Sequence, residues 1–461
     1  MAQPLSSLRL RLAVGDRLAM SAKFACLGCV ALGVAIATRA DLLVQVTAIA
    51  IVLVAFLLGL RWPLLLLFVF AALIPIEEVV QLGELGTLSR IAGLLFAVVY
   101  GLPRLGQLTF RAMPLPAWAF VGWAVLSCGW ALDQGAALAE LPTLIQLFVV
   151  AVLVADVVVH RPSVVRPLLW AYTVSAAVTA VVGIVPLLAG GVAQGLRIAA
   201  FQGQDEAQFA AVILPALVFS LSELLNRRHL VLGAAVAMAC SAGIVLSGTR
   251  GAWVSMAVVV VLFFLPRLRA RQRIALVLVT ALLVVGAVQL PGAAALVTQR
   301  TDTALSTGGS GRVDIWSVGI AIFESAPLAG VGFANFPVAF TMDRIVASAA
   351  TANPGISRAP HNIIIGTLGE LGLVGFILLV LFLLPLVARG GWGSDAAVVQ
   401  AALASLMTAA LFLDILSNRK QVWLLIGIAA GLAYLRRHDG IPLGQRPAVP
   451  AGTTVASHGG M

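Results

Sequence analysis

Three short polar motifs interrupt a strongly apolar chain, and each carries a side chain suited to handling a proton or an anion. The first is Pro360-His361-Asn362, at the start of a long apolar run. Imidazole titrates near neutrality, so His361 is a candidate general base toward a hydroxyl; a histidine that merely caps a helix at the interface fits the same position. The second is Gly309-Ser310-Gly311-Arg312-Val313-Asp314. Arg312 offers a permanently charged planar fork for phosphate oxygens, and Gly311 lets backbone amides approach the same anion; the bland alternative is a solvated helix start paired with Asp314. The third is Leu246-Ser247-Gly248-Thr249-Arg250-Gly251, where small residues permit a sharp turn. Arg250 there either meets an anionic partner or snorkels to lipid headgroups, and Arg197 and Arg300 share that argument more weakly.

Other ionisable residues carry less. Asp156 and Asp414 fall near the ends of apolar runs, where structural pairing is favoured over a proton relay. Glu370 follows His361 by about two and a half helical turns and is a candidate partner for an arginine, with no catalytic role assigned. Cys26 and Cys29 lack neighbouring His or Cys and read as small packing residues. No Asp/Glu/His cluster spells a metal site, and no cofactor is expected.

The elements that must position these motifs are membrane spans. The chain has 461 residues, 61% hydrophobic and only 10% charged, far from a soluble balance. The reading is an all-α polytopic transmembrane bundle of roughly twelve to fourteen spans, by the ruler of about 20 apolar residues per crossing. The segments 117–131 and 252–265 are short enough to be broken or re-entrant. Most of the 29 Lys and Arg residues fall on one side of this arrangement, which the positive-inside rule makes cytoplasmic. The net charge of +10 is therefore a topology signal; the cations form no stripe or recognition module, so no nucleic-acid partner is expected.

This divides the chain into a basic cytoplasmic N-terminus (1–23), one membrane domain (24–435) with no convincing internal repeat, and a disordered cytoplasmic tail (436–461). Within the membrane domain lies a large, partly helical periplasmic loop, 291–360. In that loop Ile315, Val318, Ile322 and Phe323 recur near the helical period with Trp316 beside them, which predicts an amphipathic helix over 311–325 resting at the membrane interface. Pro327, Gly330 and Gly332 then stop it, and 342–358 reads as a mobile lid.

Residues 241–385 resemble the O-antigen ligase and polymerase superfamily of integral-membrane glycosyltransferases. The resemblance rests on His361-Asn362, nine residues, then Gly372-x-x-Gly375; on the Ser247-Gly248-Thr249-Arg250 turn; on Gly311-Arg312 with Trp316; and on Pro327-Leu328-Ala329-Gly330-Val331-Gly332-Phe333 with Asn335. It implies metal-independent transfer of a glycan from an undecaprenyl-pyrophosphate carrier to a hydroxyl acceptor, at the periplasmic face of a bacterial inner membrane. His361, Arg312 and Arg250 would be catalytic, His361 either as base toward the acceptor hydroxyl or as a ligand to the pyrophosphate, with Arg197, Arg300, Asn362, Gly311 and Trp316 binding substrate. Gly372 and Gly375, three residues apart, are expected to bare one helix face for close helix contact. Lipid A-core is the first candidate acceptor, making a ligase; a growing glycan or a protein hydroxyl would make a polymerase or a protein O-glycosyltransferase. A secondary transporter is the reading from a different class, and ionisable groups gathered at the outer surface rather than the midplane speak against it.

Overall fold

The computed structural model describes residues 20–28, 30–32, 41–77, 87–188, 198–200, 205–288, 298, 312–342, 358–387, 394–413 and 419–439. Regular structure there is helical, as the composition requires: α1 (Asp41–Gly59), α2 (Leu64–Leu73), α3 (Leu88–Phe96), α4 (Leu115–Ser127), α5 (Gln134–His160), α6 (Val165–Leu188), α7 (Glu206–Leu225), α8 (Leu230–Leu246), α9 (Arg250–Val259), α10 (Ala270–Val288), α11 (Arg312–Ser325), α12 (Ile363–Val387), α13 (Asp395–Ala409) and α14 (Lys420–Asp439). Among the described residues, five helices are long and apolar enough to cross a membrane unaided: Leu88–Gln107, Gln134–His160, Pro162–Val185, Glu206–Leu225 and Ile363–Val387. Other predicted spans are shorter apolar helices, among them Leu64–Leu73, Leu115–Ser127 and Arg250–Phe264. The last of these passes into a π turn at Val260–Phe264 and a 3-10 turn at Leu265–Arg267, around Pro266.

One continuous apolar core holds the bundle together. Phe120, Phe148, Phe382 and Trp423 stack through it with centroid separations of 6.0–6.3 Å, joining α4, α5, α12 and α14. Among the described helices, α5 and α14 pack together most extensively. A Cβ placed on Gly427 would lie 2.6 Å from the Ala151 carbonyl oxygen, and one on Gly431 would lie 2.8 Å from that of Ala155. Two glycines four apart therefore bring the α14 backbone onto α5, the small-residue contact that membrane helices use where lipid supplies no hydrophobic drive.

Several polar groups inside this core are paired. Asp156, 1% exposed, accepts from the Tyr100 hydroxyl and the Thr109 amide, both at 2.8 Å, and lies 3.3 Å from His160 Nδ1. That is the structural pairing expected of it. Arg166 spans Glu223 at 3.0 Å and Asp395 at 3.2 Å, tying α6, α7 and α13. Lys420 pairs with Glu77, whose carboxylate also accepts from Ser89 Oγ at 3.0 Å, so α14 is pinned to the chain between α2 and α3.

The loop helix forms where its period predicts, as Arg312–Ser325. Its apolar stripe does not face lipid, however. Ile315, Val318 and Ile322 pack with Val331, Phe336 and Phe340 into a second, smaller core, and a Cβ on Gly319 would sit 2.3 Å from the Ile365 side chain. The helix docks on protein because the following turns fold back against it and bury this stripe.

Replacing Gly427 or Gly431 by leucine is expected to force α14 away from α5, costing on the order of 1–3 kcal/mol for overpacking. Thermal unfolding in detergent should show it, whereas Gly122→Leu on α4, where an added Cβ meets nothing within 4 Å, should leave the transition in place.

Candidate active site

The site is organised around a fault in α12. Gly372 adopts φ 66°, ψ −168° inside that helix, a conformation that glycine alone enters readily. The break leaves the carbonyls of Gly369, Glu370 and Leu371 and the amides of Leu373 and Val374 without their helical partners. Each is taken up elsewhere. Val331 N–H donates to Gly369 O and Gly332 N–H to Glu370 O, both at 2.9 Å. Leu373 and Val374 N–H donate to Pro327 O at 2.8 Å and Leu328 O at 3.3 Å. The Trp123 indole donates to Leu371 O at 2.9 Å. The Pro327–Gly332 segment thus slots into the break, and a Cβ on Gly330 or Gly372 would lie 2.3 Å from the opposing backbone.

This corrects the expected role of Gly372 and Gly375. They do not form one bare helix face, because the chain between them is not continuous helix; a Cβ on Gly375 would strike Leu371 of its own helix at 2.2 Å. Close helix–helix contact falls instead to Gly427 and Gly431. The rest of the loop is fastened to α4 and α5. Phe333 N–H donates to Ser127 Oγ at 3.0 Å. Buried Asn335 accepts from the Asp133 amide at 2.6 Å and donates to Asp133 O at 3.1 Å. Glu370 accepts from the Phe336 amide at 3.2 Å, tying the loop once more to the upper half of α12.

At the top of α12, Asn362 caps the helix: its Oδ1 accepts from Ile364 N–H at 2.9 Å and Ile365 N–H at 3.2 Å. His361, just before it, is half-buried and sits at φ 47°, left-handed backbone that a non-glycine residue holds only when its surroundings impose it. Those surroundings are visible. Pro360 is buried against Gly366, where an added Cβ would meet the proline ring at 2.8 Å. Asn362 Nδ2 donates to Leu411 O at 3.2 Å, and Ile363 N–H donates to Ala410 O at 2.8 Å.

The other two motifs reach the same place. Gly248 at φ 64° makes the turn before α9, Ser247 Oγ accepts from Thr249 N–H at 3.2 Å, and Thr249 Oγ1 donates to Glu206 O at 3.2 Å. Arg250 then begins α9, and a Cβ on the next residue, Gly251, would lie 2.8 Å from Phe412 Cβ. Arg312, the first residue of α11, places its guanidinium 5.7 Å from the centre of the Phe412 ring. The turn Ala410–Phe412 at the end of α13 therefore touches all three motif segments.

Trp316 is half-buried beside the small loop core, with its Nε1 buried and lacking a hydrogen-bond partner among the described residues. Arg197, Arg300 and Gly311 lie outside the described residues, as do Asp414 and most of the proposed lid. Phe412 was not singled out from sequence, because a phenylalanine in an apolar span reads as core or lipid-facing; only the meeting of three distant segments gives it a role.

Residues 233–380 match the family model described as O-antigen ligase, which bears out the resemblance over that stretch. It contains Arg250, Arg312, His361 and both halves of the interlock, and it ends before Phe412. No curated protein and no solved structure matches the chain. The match supports a multi-pass membrane protein with a glycosyltransferase-like activity of the O-antigen ligase and polymerase type, acting on lipid-linked glycans.

Two substitutions test the geometry. Gly372→Ala is expected to lose on the order of 2–5 kcal/mol of stability, from backbone strain plus collision with Leu328, read as a lowered unfolding midpoint. Phe412→Leu removes a cation–π contact worth about 0.5–2 kcal/mol, so glycan transfer should fall by about 2- to 30-fold while Phe412→Tyr stays near wild type.

Proposed function

We propose that the protein transfers a glycan from an undecaprenyl-pyrophosphate carrier to a hydroxyl of lipid A-core at the periplasmic face of a bacterial inner membrane. The observation that supports this reading most is the convergence of the Arg250, Arg312 and His361 segments on Ala410–Phe412. The segments that carry two arginines and one histidine meet at one turn, and those residue types suit displacement of a pyrophosphate.

In this reading His361 takes the proton from the acceptor hydroxyl as its oxygen forms a bond to the anomeric carbon of the glycan. The bond from that carbon to the phosphate oxygen breaks on the opposite side, and undecaprenyl pyrophosphate leaves with the electron pair. Arg312 and Arg250 stabilise the charge that develops on it. As fixed groups they need no reorganisation at the moment of bond cleavage, the condition under which electrostatic stabilisation is most effective. The stereochemical consequence is inversion at the sugar carbon. His361 stands just before the Asn362 cap, at the end of the helix, in a left-handed backbone conformation that its surroundings impose. Trp316, Asn362, Arg197, Arg300 and Gly311 complete the binding surface in this reading.

The test is transfer of a lipid-pyrophosphate-linked glycan to purified lipid A-core in detergent. His361→Ala and Arg312→Ala are each expected to lower the rate by about 100-fold or more, as loss of a general base or an electrostatic stabiliser does. Arg250→Ala should follow, and EDTA should leave the wild-type rate unchanged. Chain lengthening when donor is supplied alone, without transfer to lipid A-core, would make the protein a polymerase instead.

A further inference from the structure

At the end of the bundle opposite the candidate site lies a groove of about 580 Å³ whose lining includes Arg111, Trp118, Leu381, Tyr434 and Arg437. It is separated from His361 by most of the length of α12, roughly 30 Å by helix rise. Three features of the fold create it. The chain before α4 turns through a 3-10 segment at Phe110–Ala112 and enters the helix at Pro114 and Pro116, which hold it away from a continuous helical approach. Pro385 interrupts the last turn of α12. The final turns of α14 then form the remaining wall.

The groove lies at the exposed apolar surface of the bundle. Leu115 on its rim is 79% exposed and Leu381 is 52% exposed, apolar surface that only lipid covers well. Its walls are almost wholly apolar, which excludes a glycan as occupant, since sugar hydroxyls would find few partners. The polar exceptions share one sign. Arg111 and Arg437 are exposed and have no hydrogen-bond or ion-pair partner among the described residues, whereas nearby Arg104 stacks on Tyr100 and Arg436 donates to Ser394 Oγ at 3.3 Å.

We propose that this groove binds a bilayer phospholipid with an anionic headgroup, its phosphate held between Arg111 and Arg437 and an acyl chain laid along Trp118 and Leu381. Arginine is suited to the task because its planar fork matches phosphate oxygens and its weak hydration makes partial burial cheap. Basic pockets between membrane helices recognise anionic headgroups on this principle. The occupant bridges α4, α12 and α14, which together line the groove. It therefore acts as a structural lipid, independent of the chemistry at His361.

Native mass spectrometry of the full-length protein, released from detergent with phosphatidylglycerol or phosphatidylcholine, tests this. Wild type is expected to retain phosphatidylglycerol at least tenfold over phosphatidylcholine; equal retention overturns the proposal. The double variant Arg111→Gln/Arg437→Gln should lose that preference, and Ala433→Trp, which fills the groove with both arginines in place, should lose retention as well. Undiminished retention in a folded form of either variant overturns it, because the lipid would then sit elsewhere or only on the basic rim. Wild type alone supplies a further reading that no folding defect can obscure: a photoactivatable phosphatidylglycerol should label peptides containing Leu381 and Tyr434, and labelling that spares both overturns the assignment.

Discussion

Backbone polar groups in an apolar setting must all be satisfied within the protein, and the break at Gly372 is where that constraint shapes everything around it. Interrupting a helix there frees three carbonyls and leaves amides unpaired. The Pro327–Gly332 segment supplies matching donors and acceptors in register, and Trp123 supplies the remaining donor. A break without the insert would leave several buried groups unsatisfied, each at a cost of about 1–3 kcal/mol. The insert without the break would collide with a continuous helix. The two glycine-containing motifs are thus two sides of one joint, and neither is stable alone.

That joint carries the loop. With Pro327–Gly332 locked into α12, the chain on either side is committed: α11 lies against the upper half of α12 through Gly319 and Ile365, and Phe333–Phe336 is tied to Ser127, Asp133 and Glu370. Arg312 is thereby delivered to the top of α12, where left-handed His361 stands just before the Asn362 cap. A loop held only by its own apolar stripe would slide on a membrane surface; one held by paired backbone groups cannot, since a shift of one residue breaks every bond in the joint.

The turn at Ala410–Phe412 does for the motifs what the joint does for the loop. Its carbonyls receive Asn362 and Ile363, and its aromatic ring lies between the start of α9 and the Arg312 guanidinium. It belongs to α13, which is held in turn by Asp395 on Arg166 and by packing against α7, α9 and α14. The family match stops at residue 380, so the supporting turn and the glycine contact between α5 and α14 lie in parts of the chain that match does not reach. The recognisable motifs bear the chemistry proposed for them, while the geometry that unites them rests partly on residues outside that segment.

Composition and hydropathy alone determined the all-helical membrane class, the approximate place of the helices, and the loop helix at Arg312–Ser325, because apolar run length and 3.6-residue period are local properties. Residue type together with local motif and place relative to the apolar runs also singled out His361, Arg312 and Arg250. What sequence could not supply was any relation between residues far apart along the chain. Gly372-x-x-Gly375 reads as a bare helix face whether or not the helix is continuous, and only the loop docked in the break shows that it is not. Ile315, Val318 and Ile322 announce an apolar face without saying whether lipid or protein covers it. Phe412 is indistinguishable from other phenylalanines of the apolar runs until three distant segments meet on it. Periodicity records which side of an element is apolar; the partner of that side is set by tertiary packing, where backbone hydrogen bonds and close contacts select one neighbour among many that are equally apolar.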